Sequence, residues 1–187
     1  MWKTLYSGIG IIVIVSAFLL SCTTYAVYSK NFLAGKDYFN AGRYDEAGKF
    51  FEDAAKVESD AAVLTYLAAT AYKKGQFEDA AALIGRAEKS SPDRLTYLRM
   101  YGYKALIFLQ VDNTLGMKAL DDYIKRYGFD YPLDSLEEIR AMRQSGVIDK
   151  KRLEFLIDEE VEWYEKEMEL YIYNNVGFYA REKSEAF

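Results

Sequence analysis

The sequence predicts an all-α protein: a short solenoid of antiparallel helix hairpins with C-terminal capping helices, behind an N-terminal apolar signal or anchor. Three observations predict it. Gly42-Arg43-Tyr44-Asp45-Glu46-Ala47 returns 33 residues later as Gly75-Gln76-Phe77-Glu78-Asp79-Ala80, and a period in this range marks stacked helical repeats. Two prolines and seventeen tyrosines suit long unbroken helices with aromatic packing. Beyond Asp149, Leu153, Leu156, Ile157, Val161, Tyr164, Met168, Tyr171 and Ile172 recur at steps of three and four residues, the spacing of one helix face.

The elements follow in chain order. From Thr4 to Ser29 no side chain is charged, and Ile9 to Leu20 is almost wholly apolar, as in a signal sequence or a membrane span. This segment ends in Leu19-Leu20-Ser21-Cys22, and Cys22 is the one cysteine of the chain. The run resembles a bacterial lipobox. That resemblance implies cleavage before Cys22, lipidation of Cys22 as the new first residue, and sorting to an outer membrane because Thr23 rather than Asp follows. An uncleaved transmembrane helix over Leu5 to Val27 is the alternative. Residues 1–21 are thus the signal peptide or anchor, 22–28 a tether, 29–128 the repeats and 129–187 the C-terminal helices.

In the first repeat Gly35 and Tyr38 lie on helix A, Gly42 makes the turn, Tyr44 opens helix B, and Ala47, Phe51 and Ala54 form its inner stripe. In the second, Leu67, Ala68, Gly75, Phe77, Ala80, Ala87 and the closing Pro92 take the matching places. These residues resemble the tetratricopeptide repeat, whose small residues let helices approach closely and whose aromatics fill the gap to the next hairpin. A third, degenerate hairpin is expected from Tyr97 to Gln110 and Leu115 to Tyr127, with a long turn over Val111 to Gly116. With the amphipathic helices after it, Tyr97 to Tyr127 also resembles outer-membrane-protein assembly lipoproteins. Asp134 or Ser135 then starts a helix in a capping-box arrangement, Ser145-Gly146 ends it, and Asp149 caps the last long helix.

Composition excludes much. With no histidine, imidazole bases, His-ligated zinc and Ser or Cys triads are impossible. With one cysteine there is neither an internal disulfide nor a Cys-based metal cage. A formal charge of -5 with scattered Lys and Arg does not suit a nucleic-acid binder. No nucleotide loop, nucleophile motif or metal-ligand spacing occurs, so neither an enzyme, a cofactor nor a metal site is expected. The carboxylates Asp158, Glu159, Glu160, Glu162, Glu165, Glu167 and Glu169 read as a solvated outer face.

The tetratricopeptide resemblance implies a concave side lined by helix A residues. On that register Phe32, Lys36, Phe39 and Asn40 face inward from the first repeat, Thr65, Tyr66 and Lys73 from the second, and Arg99 and Tyr103 from the third. Lys36, Lys73 and Arg99 among aromatics suit an acidic peptide or helix of a partner. The C-terminal stripe reads as a cap for the last hairpin or as a second partner surface, with Trp163, Tyr171, Tyr173, Phe178 and Tyr179 as its contacts. The implied function is a membrane-anchored scaffold, assembly factor or accessory subunit of a bacterial envelope complex. The alternative is a structural subunit of a filament, motor or secretion complex, held by its aromatic C-terminal helix.

Overall fold

A computed structural model of the chain describes residues 24–92, 95–130 and 135–180. The fold is all-α, a short solenoid of antiparallel helix hairpins, and no strand occurs among the described residues. The apolar segment and Cys22 lie outside them. No helix among the described residues is long and apolar enough to cross a membrane. The chain divides into two compact units, one ending at Ser59 and the other opening at Asp60, so the boundary falls between the first and second hairpins.

In the first unit, α1 (residues 24–40) and α2 (Tyr44–Val57) form one hairpin. Gly42 turns the chain at φ 72°, a backbone conformation that glycine adopts without steric cost. The Gly42 N–H donates to the Phe39 carbonyl and the Arg43 N–H to the Tyr38 carbonyl, closing the last turn of α1. Gly35 is required for a second reason. A Cβ there would lie 2.5 Å from Cε1 of the Phe51 ring, so α1 meets α2 closely only without a side chain at this point. Ala47, Phe51 and Ala54 are fully buried, and Tyr38 stacks on Phe50 with ring centroids 5.1 Å apart.

The second unit repeats that turn atom for atom. Gly75, at φ 76°, donates to Tyr72 and Gln76 donates to Ala71, the bonds of the first turn displaced by one period. Asp60 caps α3 (Ala61–Lys73) by accepting from the Val63 N–H at 2.8 Å, and Ala80, Ile84 and Ala87 of α4 (Phe77–Lys89) are fully buried.

The third hairpin, α5 (Tyr97–Val111) and α6 (Asn113–Asp130), is tighter than the sequence predicts. Its expected six-residue turn is the single residue Asp112. The Asp112 carboxylate accepts from the Thr114 and Leu115 N–H groups at 2.8 and 3.0 Å, so one side chain caps α6 directly after α5 stops. Gly116 makes the tight crossing possible: a Cβ there would lie 2.5 Å from the Leu109 backbone nitrogen.

Helix α7 (Leu136–Ser145) packs on α6 and ends at Gly146, φ 71°. Of its two expected caps, Asp134 lies outside the described residues and the Ser135 side chain makes no bond to the first turn. Its N–H and hydroxyl both donate to Glu160 of the last helix instead. Asp149 caps that helix, α8 (Lys150–Asn174), accepting from Lys151 and Arg152 N–H groups. After Asn175 the chain turns at Gly177, φ 90°, into a helical turn over residues 178–180.

Candidate interaction groove

Tyr66 and Lys73 of α3 and Arg99 and Tyr103 of α5 come together on one face of the second unit. That face is covered. Helix α8 runs across it antiparallel to both helices. Lys150 Nζ donates to the Leu109 carbonyl near the end of α5, Asp158 meets Tyr103 in its middle, and Glu165 meets Arg99 near its start. Along α3 the order is the same, with Glu154 at Lys73 and Glu165 at Tyr66. Gly102 lets α8 approach, since a Cβ there would lie 2.7 Å from the Ile157 side chain.

The contact combines an apolar stripe with a row of acid anchors. Leu153, Leu156, Ile157, Val161, Tyr164 and Met168 are buried, each contributing about 1.5–3 kcal/mol of transfer free energy. Beside them, Glu154, Asp158 and Glu165 stand at i, i+4 and i+11, spacings that share one helical face. Arg99 donates to both oxygens of Glu165, Nε at 2.7 Å and Nη2 at 3.1 Å, and the two residues are only 3% and 4% exposed. The Tyr66 hydroxyl donates to the same carboxylate at 2.6 Å, and the guanidinium sits 4.5 Å over the Tyr66 ring. The Tyr103 hydroxyl donates to Asp158 at 2.7 Å, Lys73 pairs with both Glu154 and Asp158, and Tyr72 donates to Glu154.

The titration of this network follows from burial and pairing. Burial pushes the Tyr66 and Tyr103 phenols well above their ordinary value; the Arg99 charge opposes this, and Glu165 at Tyr66 and Asp158 at Tyr103 add to it. Tyr72 is raised too, by burial first and then by Glu154. For Arg99, burial disfavours the charge, but Glu165 and the two phenols outweigh it, leaving the guanidinium well above its usual value. Lys73 is raised on the same balance, Asp158 and Glu154 overcoming burial. Thr65 is different. Its Oγ1 is buried without a hydrogen-bond partner among the described residues, an omission that costs about 1–3 kcal/mol.

The reading of the acidic run as a solvated face is therefore corrected. Glu160 and Glu165 are buried and Asp158 is paired, while Glu159 and Glu162 alone among the first five remain exposed. Helical projection shows why: Glu154, Asp158 and Glu165 border the apolar stripe, so burying the stripe carries them under the contact. Tyr72, Glu154, Asp158 and Glu165 complete the site, and none stood among the groove residues read from the sequence.

The remaining candidates have surroundings of their own. In the first unit, the Phe32 ring stacks on Tyr28 and meets Phe51, Phe39 is buried edge-on to Tyr44, Lys36 is half-buried and Asn40 exposed. At the end of α8, Trp163, Tyr171, Phe178 and Tyr179 engage one another: Phe178 packs edge-on to Trp163 at 6.2 Å, and Tyr179 reaches Tyr164 at 6.0 Å and Tyr171 at 6.3 Å. The Phe178 N–H, donating to Glu167, pins the turn. Tyr173 is the exception, 74% exposed beside the exposed Ile172 and Val176. Among the described residues no group of acidic, Cys or His side chains could hold a metal ion.

Residues 38–101, from the last turn of α1 into α5, match the family model of the tetratricopeptide repeat. No curated protein and no solved structure matches the chain. The matched repeats support a protein–protein interaction module with protein partners, a role that all-helical repeats of this kind typically fill without catalysis.

Proposed function

We propose that the protein is a membrane-anchored scaffold, assembly factor or accessory subunit of a bacterial envelope complex, lipidated at Cys22 and facing the periplasm from the outer membrane. The observation that carries this reading is the order of segments. The apolar run Ile9 to Leu20 ends at Ser21-Cys22, and the chain is helical from residue 24, so the interaction module follows the attachment point almost at once. A tether this short, at roughly 3.3 Å per extended residue, holds the first hairpin close to the bilayer. No cofactor is needed for such a role.

Affinity purification of the full chain from native membranes, with mass spectrometry of the N-terminal peptide, tests the reading. A diacylated or triacylated peptide starting at Cys22 and a stoichiometric envelope protein are expected. An intact Met1 to Ser21 would replace the lipid anchor by a single membrane span, and the absence of any partner would overturn the scaffold role.

One observation favours the second reading, a structural subunit held through its C-terminal end: Ile172, Tyr173 and Val176 form an exposed apolar strip there. On that reading Tyr173→Ser with Val176→Ser releases the protein from its complex, while stability changes by no more than about 0.5 kcal/mol, as for surface sites in general.

A further inference from the structure

We propose that the α3–α5 face is a receptor for an acidic amphipathic helix of a protein partner, and that α8 is a resident occupant which the partner helix displaces. The proposal rests on the interaction-module reading above and names the partner class for one of its surfaces.

Charge and shape complementarity define the occupant. The face offers Arg99, Lys73 and the hydroxyls of Tyr66, Tyr72 and Tyr103, every one of them turned to a carboxylate of α8. A helix that fits must place carboxylates at i, i+4 and i+11 beside an apolar stripe, with a residue such as Ile157 set over Gly102. This narrows the loose expectation of an acidic segment to a helical pattern with fixed spacing.

The apolar stripe supplies most of the stability of the contact, and its ionic part supplies the selectivity. Buried ion pairs add little net stability compared with apolar residues of the same volume, and their best-attested use is to set register and partner choice. Both surfaces are amphipathic, so a face bearing Arg99, Lys73 and tyrosine hydroxyls tolerates water when α8 leaves. The connection to α8 is exposed to solvent at Gly146, Val147 and Asp149. Ties outside the receptor face, among them Arg152 to Glu138 and Glu160 to Ser135, hold α8 to α7 and the residue before it and are given up.

Exchange is nearly balanced in contacts, because a partner helix with the same pattern rebuilds what α8 surrenders. What it must overcome is the tether, which presents α8 at an effective concentration on the order of millimolar. Two proteins held on one membrane meet that condition more readily than two in dilute solution.

The test uses the full chain in detergent and a fluorescein-labelled synthetic peptide with the sequence of residues 150–174. Asp158→Lys with Glu165→Lys weakens α8 in place. Fluorescence anisotropy is expected to show the peptide binding this variant at least tenfold more tightly than the unaltered chain. A peptide carrying the same two substitutions binds neither. Equal binding to both chains, or none to a variant that keeps its helical circular dichroism, would overturn the proposal.

Hydrogen exchange of the unaltered chain supplies a reading free of substitutions. Amides of α8 are expected to exchange at least tenfold faster than those of α3 and α5, and exchange of all three in one global step would sink the idea. Energy transfer between differently labelled copies, dependent on α8, would assign the face to a second copy and overturn the partner reading. None of these measurements involves the envelope complex, so the proposal and the scaffold role fail separately.

Discussion

Arg99 of α5 and Glu165 of α8, 66 positions apart, form a two-pronged ion pair that is almost completely buried and shares its carboxylate with the Tyr66 hydroxyl. Around this pair the face of α3 and α5 meets the chain's own last helix. A buried charge that loses its partner is far more costly than the pair is favourable. Glu165→Ala is thus expected to lower the unfolding free energy by about 3–5 kcal/mol, whereas Arg99→Met with Glu165→Leu recovers this apart from the roughly 1–3 kcal/mol of the Tyr66 hydroxyl that loses the same carboxylate. Urea titrations of the three chains decide this, and a double substitution as damaging as the single one would refute it. Arg99→Lys does not substitute, because an ammonium lacks the planar fork.

The glycines separate by what surrounds them. Gly35→Ala and Gly102→Ala press a methyl against Phe51 and Ile157 respectively, an overpacking that costs about 1–3 kcal/mol. Gly116→Ala is the most damaging, because the atom it meets is the Leu109 backbone nitrogen, which cannot swing aside. Gly85 lies within α4 with nothing within 4 Å of its added Cβ, so Gly85→Ala stabilises by roughly 0.5–1 kcal/mol. Thermal melts of the four variants should place Gly85→Ala highest, Gly35→Ala and Gly102→Ala below it, and Gly116→Ala lowest.

Stability is lost on the alkaline side. The folded-state values of the Tyr66 and Tyr103 phenols, raised first of all by burial, lie well above the unfolded value of about 10. Between the two values the folded chain holds protons that the unfolded chain has released, so unfolding is favoured as pH rises past about 10. Lys73, also raised, acts in the same direction. Below that range these groups contribute their stability in full. Tyrosinate absorbance and circular dichroism followed together should show the two phenols ionising only as α8 and the core open, and ionisation ahead of any loss of helix would contradict this.

Two caps read from side-chain chemistry carry measurable weight. Asp60→Ala and Asp149→Ala each remove a carboxylate that accepts from the first turn of a helix, at a cost of about 1 kcal/mol. Asn in either place retains most of it. Ser135→Ala is expected to act differently, since that hydroxyl serves Glu160 of α8 and not the first turn of α7. Its cost should therefore shrink in a chain that already carries Glu160→Gln. A double-mutant cycle by urea titration measures that coupling.

Much of this was legible in the residues. Gly42 and Gly75 announced their turns, Asp149 its cap, and Ala47, Phe51, Ala80 and Ala87 their places in the core, because each depends on neighbours a few positions away. The third turn was misread for a related reason. Asp112 can end one helix and cap the next within a single residue, and low helix propensity at Asn113 and Thr114 resembles a loop when a first helical turn accommodates them equally well.

The sequence by itself determined the repeat, its glycine turns and the existence of an apolar stripe on the last helix, since a period and a face are local properties of the chain. Only the tertiary structure decided that this stripe, with Glu154, Asp158 and Glu165 along its edge, closes over Tyr66, Lys73, Arg99 and Tyr103. Periodicity shows that a face must be covered; which face covers it depends on charge and shape matching between segments as much as 99 positions apart.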